Sequence, residues 1–144
     1  MRSPEQVRWD FVQDWLRRAE DDRLAAKALL RQKFNDYGVS AFHAQQCAEK
    51  AVKAYLVRWQ IEFPKTHDME RLREIVARED EQLAQDLFVA DALTPYAVEF
   101  RYPGEFEPVS KDAAEEAIAL AEKTHRIILQ NLKDYLKAGR PEAS

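Results

Sequence analysis

Hydrophobic and polar positions repeat along this chain at intervals of three and four, the spacing that puts apolar side chains on one face of an α-helix. No segment alternates in steps of two for long enough to form a β-strand. The first helix is predicted to begin at Ser3, because Ser-Pro-Glu-Gln offers an N-cap, a proline at the first helical position and the glutamine of a capping box. Its pattern ends at residues 35–38 (Asn-Asp-Tyr-Gly), after one long helix or two that meet at a kink.

The middle of the chain predicts three further helices. The second helix runs from Val39 to about Ile61 and ends before residues 63–64 (Phe-Pro), since a residue that precedes proline disfavours the α conformation. A shorter helix follows, with Thr66 and Asp68 as alternative N-caps. Another helix begins near Asp80.

The last third of the chain contains a loop and one long helix. The dipeptide at residues 94–95 (Thr-Pro) restarts or kinks the preceding helix, and residues 102–108 form a loop. Ser110 then caps a helix that runs to about Lys137, and residues 138–144 are predicted to form a frayed tail.

These elements predict an all-α fold, an antiparallel bundle of four to five helices in a single domain over residues 1–144. The last helix also carries a seam of residues spaced by threes and fours, which can pack inside the bundle or against a second copy of the chain. The seam consists of Ile118, Ala121, His125, Ile128, Leu132 and Tyr135.

Composition narrows the class of protein. The chain has 144 residues, 46% of them hydrophobic, with only 3 Gly and 6 Pro, which argues against a loop-rich β fold and against disorder. Its net charge of −4 disfavours nucleic-acid binding across the whole surface and leaves a local basic site open. Apolar runs are far shorter than the roughly 20 residues that span a bilayer. The single cysteine, Cys47, and the charged N-terminus lead us to expect a cytoplasmic protein without membrane contact.

The second helix carries the most informative polar residues. Most of its circumference is apolar, but His43, Gln46, Lys50 and Lys53 follow at intervals of three, four and three along one ridge. An imidazole, an amide and two ammonium groups in a row could hold a phosphate or a nucleotide. The alternative is a solvated face on which Glu49 and Lys53 form an ordinary pair one turn apart.

Four segments in order resemble the HEPN family (higher eukaryotes and prokaryotes nucleotide-binding domain). They are residues 15–22 (WLRRAEDD), 41–56 (AFHAQQCAEKAVKAYL), 64–68 (PKTHD) and 101–104 (RYPG). The resemblance implies an all-α bundle, frequent homodimers and, often, a small nucleotidyltransferase as partner in a toxin–antitoxin-like pair. It also adds His67, Arg101 and Tyr102 to the ligand-binding candidates. The alternatives to ligand binding are structural: His67 fixes its loop, and residues 101–103 form a corner of the fold.

Many members of that family are metal-independent ribonucleases with an Arg followed, after four to six residues, by a His. No Arg of this chain has a His at that distance, and Arg101 is followed by Tyr-Pro-Gly-Glu-Phe-Glu-Pro. The leading hypothesis is therefore a non-catalytic module that binds a nucleotide, RNA or a nucleotidyltransferase. The alternatives are a ribonuclease toxin with a displaced catalytic His and a structural homodimer without a ligand, joined through the seam.

No metal or cofactor is expected. The histidines at 43, 67 and 125 are too far apart for a pair on one helix face, and Cys47 lies on the apolar side of its helix. Glu122 and His125 have the Glu-x-x-His spacing of di-iron bundles, but those sites use the motif twice. With only 3 Gly, a glycine-rich phosphate loop cannot be built.

Overall fold

A computed structural model of the chain describes residues 1–98 and 104–143, and this part contains six α-helices, one 3₁₀-helix and no β-strand. The all-α prediction is confirmed. In chain order the helices are α1 (Pro4–Leu30), α2 (Gly38–Arg58), α3 (Met69–Ala77), α4 (Glu81–Asp86), the 3₁₀-helix (Leu87–Tyr96), α5 (Lys111–Asn131) and α6 (Lys133–Ala138). Among the described residues, no helix is both long enough and apolar enough to cross a membrane.

The helix starts follow the side chains that cap them. The Ser3 hydroxyl accepts from the backbone N–H of Gln6, and the Gln6 side chain accepts from the backbone N–H of Ser3, which completes the predicted capping box. Of the two alternatives for α3, Asp68 is the N-cap, and Thr66 instead accepts from the backbone N–H of Asp68. Ser110 caps α5 as predicted.

Helix α2 ends at Arg58, three residues before the predicted end at Ile61. Gln60 adopts a left-handed conformation with φ at 57°, and the backbone N–H of Ile61 donates to the carbonyl of Leu56 at 2.9 Å. This is the Schellman arrangement, in which one left-handed residue closes the last turn of a helix. The helix therefore ends by its own cap and not because of the proline at position 64.

The last helix was predicted as one element, but it is interrupted. At Leu132 the backbone shifts to φ −90° and ψ 2°, which separates α5 from the short α6 and places the Leu132 side chain in the core. Beyond α6, the tail predicted to fray contacts α1 instead. Gln6 Nε2 donates to the Pro141 carbonyl at 3.0 Å, and Arg140 pairs with Asp10.

Helix α2 lies at the centre of the bundle and packs against α1 on one side and α5 on the other. Its core-facing residues are mostly small, which lets neighbouring helices approach closely. They are Ala41, Ala44, Cys47, Ala48, Ala51 and Val52, followed by the larger Tyr55 and Leu56. One side-chain bond fixes the α1–α2 register, since the Ser40 hydroxyl donates to the Ala26 carbonyl at 2.8 Å.

The segment before α5 is tied to the turn between α1 and α2. Asp36 Oδ1 accepts from the backbone N–H groups of Gly38 at 2.9 Å and Val109 at 3.0 Å. The backbone N–H of Tyr37 donates to the Val109 carbonyl at 2.8 Å. These bonds fix where α5 begins relative to α2.

The seam of the last helix packs inside this bundle. Five of its members are at most 8% exposed, and Tyr135 is half-buried. The five are Ile118, Ala121, His125, Ile128 and Leu132. The interpretation of this seam as the interface of a structural homodimer is wrong, because its side chains already fill the core of one chain.

Candidate functional site

The first polar cluster lies between α1 and α2 around the carboxylate of Asp22. Its Oδ1 accepts from His43 Nδ1 at 2.8 Å, and its Oδ2 accepts from the Lys50 ammonium at 2.6 Å. Asp22 is buried, while the side chains of His43 and Lys50 keep 26% and 21% of their surface exposed. Two residues of α2 are therefore joined to α1 by a single carboxylate.

The second cluster lies around Glu49, on the neighbouring face of α2. The Glu49 carboxylate accepts from His67 Nδ1 at 2.7 Å, from the Lys53 ammonium at 3.0 Å and from Gln45 Nε2 at 3.1 Å. The Gln45 amide also reaches the backbone carbonyl of His67 at 3.3 Å, and Gln46 Nε2 donates to Gln45 Oε1 at 2.7 Å. These bonds hold the segment between α2 and α3 against α2.

The two clusters repeat one chemical arrangement, a carboxylate that accepts from one imidazole and one ammonium. An ionised carboxylate can only accept, so Nδ1 carries the proton in both His43 and His67. The remaining ring nitrogen, Nε2, has no hydrogen-bond partner among the described residues in either histidine. The His67 side chain is the more accessible, with 63% of its surface exposed.

We refer to these eight residues together as the polar strip. It consists of Asp22 on α1, His67 before α3, and His43, Gln45, Gln46, Glu49, Lys50 and Lys53 on α2.

The predicted ridge of His43, Gln46, Lys50 and Lys53 lies within this strip, but it is not a solvated face. Lys53 is 7% exposed and Gln46 is 8% exposed. The predicted pair of Glu49 and Lys53 does form, and it is buried. The alternative of an ordinary wet pair on the helix surface is therefore wrong.

In the structure, His67 contacts Glu49 and therefore lies beside the other candidates that were predicted from the sequence. Arg101 and Tyr102 lie outside the described residues, and their part in the site stays a prediction.

The charges of the strip are balanced by direct pairing. Burial alone would raise the pKa of Asp22, but the hydrogen bonds from His43 and Lys50 outweigh it and hold that pKa below its usual value. The stability that these bonds contribute is thus present above the ordinary pKa of an aspartate and is lost as the pH falls below it. The ammonium groups of Lys50 and Lys53 face the carboxylates of Asp22 and Glu49.

Aromatic rings enclose the inner lysine of the strip. The Lys53 ammonium lies 5.5 Å from the centre of the Trp15 ring and 5.7 Å from the centre of the Phe63 ring. A desolvated ammonium interacts favourably with the face of an aromatic ring. These contacts position Trp15 of α1 directly beside the strip.

Comparison with known proteins places this chain in a family. A family model described as HEPN domain matches residues 12–132, which include α1 from its third turn, all of α2 and all of α5. The chain belongs to the HEPN family. This HEPN protein is also similar to a protein of Methanocaldococcus jannaschii named "Putative toxin MJ1304", with 36% identity over 141 residues that cover 88% of this chain and 89% of the relative.

Two carboxylates of this HEPN domain were not among the predicted site residues. Asp22 had a usable signal, because it lies seven residues after Trp15, two turns along the same face of α1. The sequence predicts Glu49 as a pairing residue and not as a residue of the ligand-binding site. Among the described residues, no group of three or more His, Cys, Asp and Glu side chains is arranged to hold a metal ion.

The single thiol of the HEPN domain is enclosed in the core. Cys47 is fully buried, and this burial raises its pKa to about 12. We expect a thiol reagent such as dithionitrobenzoate to modify Cys47 only when the protein opens, at a rate that rises with added urea. Rapid modification of the native protein at pH 8 would contradict this placement.

His125 on α5 is buried beside Glu20 and Arg23 of α1, with Glu122 and Arg126 on its own helix. Burial lowers its pKa below the usual 6.5. Below pH 6.5, His125 therefore binds a proton more readily in the unfolded chain than in the folded protein. The stability of the folded protein falls as the pH drops below 6.5.

A comparison of urea midpoints at pH 7.5 and pH 5.5 checks this expectation. We expect a larger loss at pH 5.5 in the wild type than in His125→Gln, and equal losses would contradict it.

Proposed function

We propose that this HEPN protein is the toxin-type member of a toxin–antitoxin-like pair and that it binds a nucleotide or an RNA at the polar strip without cleaving it. The family and the name of the M. jannaschii relative support the first part. The observation that supports the second part is the doubled arrangement of imidazole, carboxylate and ammonium along α2.

The energetics of burial favour a functional reason for the strip. Removing a Lys–Glu pair from water costs several kcal/mol per ion, roughly what the pairing returns, so a well-packed apolar pair is often as stable. Helix α2 nevertheless places Gln45, Gln46, Glu49 and Lys53 in positions that are at least 92% buried. Ionisable groups retained at such a cost concentrate at functional sites.

The exposed edge of the strip supplies the groups that a ligand would contact. The Nε2 atoms of His43 and His67 can accept from a donor on a base edge, and the partly exposed ammonium of Lys50 can donate to a phosphate. Lys53 and Glu49 are too deeply buried for direct contact with a ligand. Glu49 holds His67 in place, and Lys53 pairs with Glu49. Arg101 and Tyr102 are proposed to complete the site.

The proposal includes partners implied by the family. A nucleotidyltransferase is the expected partner protein, and a homodimer is the expected assembly. We place the protein in the cytoplasm, which fits its free cysteine.

Thermal unfolding in the presence of nucleotides and short single-stranded RNAs tests the proposal. A ligand at a hundred times its dissociation constant adds about 2.7 kcal/mol to the stability of the folded state and raises the midpoint by several degrees. The shift should be lost in Lys50→Met, which keeps the aliphatic chain and removes the charge.

A matched control separates binding from stability. Lys50 is paired with Asp22, so Lys50→Met lowers the baseline midpoint. Lys27→Met removes an ammonium of α1 that is paired with Glu122 of α5 at 3.5 Å, and this variant should keep the full ligand shift. No shift in the wild type with any nucleotide or RNA would overturn the proposal.

A second candidate function is a metal-independent ribonuclease with a displaced histidine. The observation that favours it is that Asp22 and Glu49 each orient an imidazole with Nε2 free, the geometry of a general base or acid. This function predicts RNA fragments with 2′,3′-cyclic phosphate ends in the presence of a chelator, and their loss in His43→Ala or His67→Ala. Intact RNA in the wild-type reaction would remove it.

A further inference from the structure

Beyond Lys53 the polar strip leads to a groove along α1, whose far end is also lined by Val57 of α2. These helices are antiparallel, as the contacts of Ser40 with Ala26, of Lys50 with Asp22 and of Lys53 with Trp15 show. Along the boundary between α1 and α2, toward the start of α1, Trp15 is followed by Phe11.

Phe11 is unusually exposed for an aromatic residue of a long helix. It leaves 57% of its surface open and separates two shallow cavities of about 290 and 340 Å³. The smaller cavity is lined by Phe11, Asp14, Trp15 and Arg18. The larger one contains Val7, Val57 and Ile61 among its apolar walls.

Beside these aromatic rings, arginine side chains outnumber the carboxylate with which they pair. Asp14 accepts from the guanidinium groups of both Arg17 and Arg18, so one negative charge is shared by two positive ones. The two arginine side chains are 68% and 58% exposed. The groove edge therefore offers a net positive charge beside the exposed ring of Phe11 and the partly buried ring of Trp15.

We infer that this groove is a base-stacking extension of the polar strip, so that the ligand is a single-stranded RNA longer than one nucleotide. The inference rests on the proposed function. Unpaired bases would stack on Phe11 and Trp15, while Arg18 faces the backbone phosphates. We call Phe11, Trp15 and Arg18 the stacking groove.

Charge and dimensions favour this ligand over a mononucleotide or a duplex. From His43 to Val57 the strip and the groove follow 14 residues of α2, about 21 Å at 1.5 Å per residue. A mononucleotide would cover only part of that length. Duplex RNA keeps its bases stacked on each other and presents none to an aromatic face.

The test compares RNA affinity in two aromatic variants. Phe11→Ala removes the exposed ring of the stacking groove. Phe88→Ala is the matched control, because Phe88 is 62% exposed and lies on the 3₁₀-helix, outside the stacking groove. Exposed positions of this kind tolerate substitution, and far-UV circular dichroism verifies that both variants fold.

Fluorescence anisotropy with labelled decauridylate gives the dissociation constants. Loss of one stacked base is expected to weaken binding about 5- to 150-fold in Phe11→Ala and to leave Phe88→Ala unchanged. Binding of uridine monophosphate should be the same in all three proteins.

Any other result would overturn the inference, and the results distinguish failure of the stacking groove from failure of the proposed function. Unchanged decauridylate binding in Phe11→Ala together with weaker binding in Lys50→Met would refute the stacking groove and leave the proposed function standing. No decauridylate binding by the wild type would refute both. If Phe11→Ala binds RNA normally but fails to retain a co-expressed nucleotidyltransferase, the groove is a protein-docking surface instead.

Discussion

Replacing Glu49 with alanine is expected to lower the free energy of unfolding by about 3–5 kcal/mol, because it strands a buried ammonium. Glu49 is 2% exposed and accepts from Lys53, His67 and Gln45. Without it, Lys53 keeps only its two aromatic neighbours as partners among the described residues. The melting temperature should fall by about 10–20 °C.

Two further variants assign this loss to the stranded charge. Glu74→Ala removes a glutamate from an exposed pair with Arg71 and should change the unfolding free energy by less than about 0.5 kcal/mol. Glu49→Ala combined with Lys53→Met should recover much of the stability, since no unpaired ammonium remains. A loss below about 1 kcal/mol in Glu49→Ala alone would contradict the buried network.

Ile128→Asp is expected to abolish the folded state at 25 °C. Ile128 is fully buried in the core, so a carboxylate there would be removed from water. The expected cost exceeds about 4–5 kcal/mol, a large part of the roughly 5–15 kcal/mol that stabilises a domain. Far-UV circular dichroism and size-exclusion chromatography should show an expanded chain with little helix.

The same substitution at an exposed position of α5 is the control. Ala119→Asp should cost less than about 1 kcal/mol, mostly through lower helix propensity. If Ile128→Asp stayed helical and merely changed from a dimer to a monomer, the seam would be an interface between copies and the packing described above would be wrong.

Local signals in the sequence were sufficient for the helix starts and insufficient for two of the ends. Ser3 and Ser110 could be predicted, and Asp68 could be narrowed to one of two candidates, because a capping side chain bonds its own first turn. Gln60 could not, because a left-handed helix cap favours glycine and glutamine carries no such signal. The break at Leu132 likewise depends on how its side chain packs into the core.

For the site, the sequence predicted which side chains share a ridge and failed to predict their burial. The spacing of His43, Gln46, Lys50 and Lys53 follows from helical periodicity within α2 alone. Their exposure depends on what packs against that ridge, which is Asp22 from α1 and the segment that carries His67. Such contacts are between residues 18 to 28 positions apart, beyond the reach of a periodic pattern.

The central claim is that the polar strip binds RNA and leaves it intact. The most direct measurement is to incubate trace labelled single-stranded RNA with excess protein and a chelator, then run one half on a native gel and the other on a denaturing gel. We predict retarded RNA of full length, with retardation lost in Lys50→Met and kept in Lys27→Met. Shortened RNA would show an enzyme, unretarded RNA would show no ligand of this class, and either result would contradict the claim.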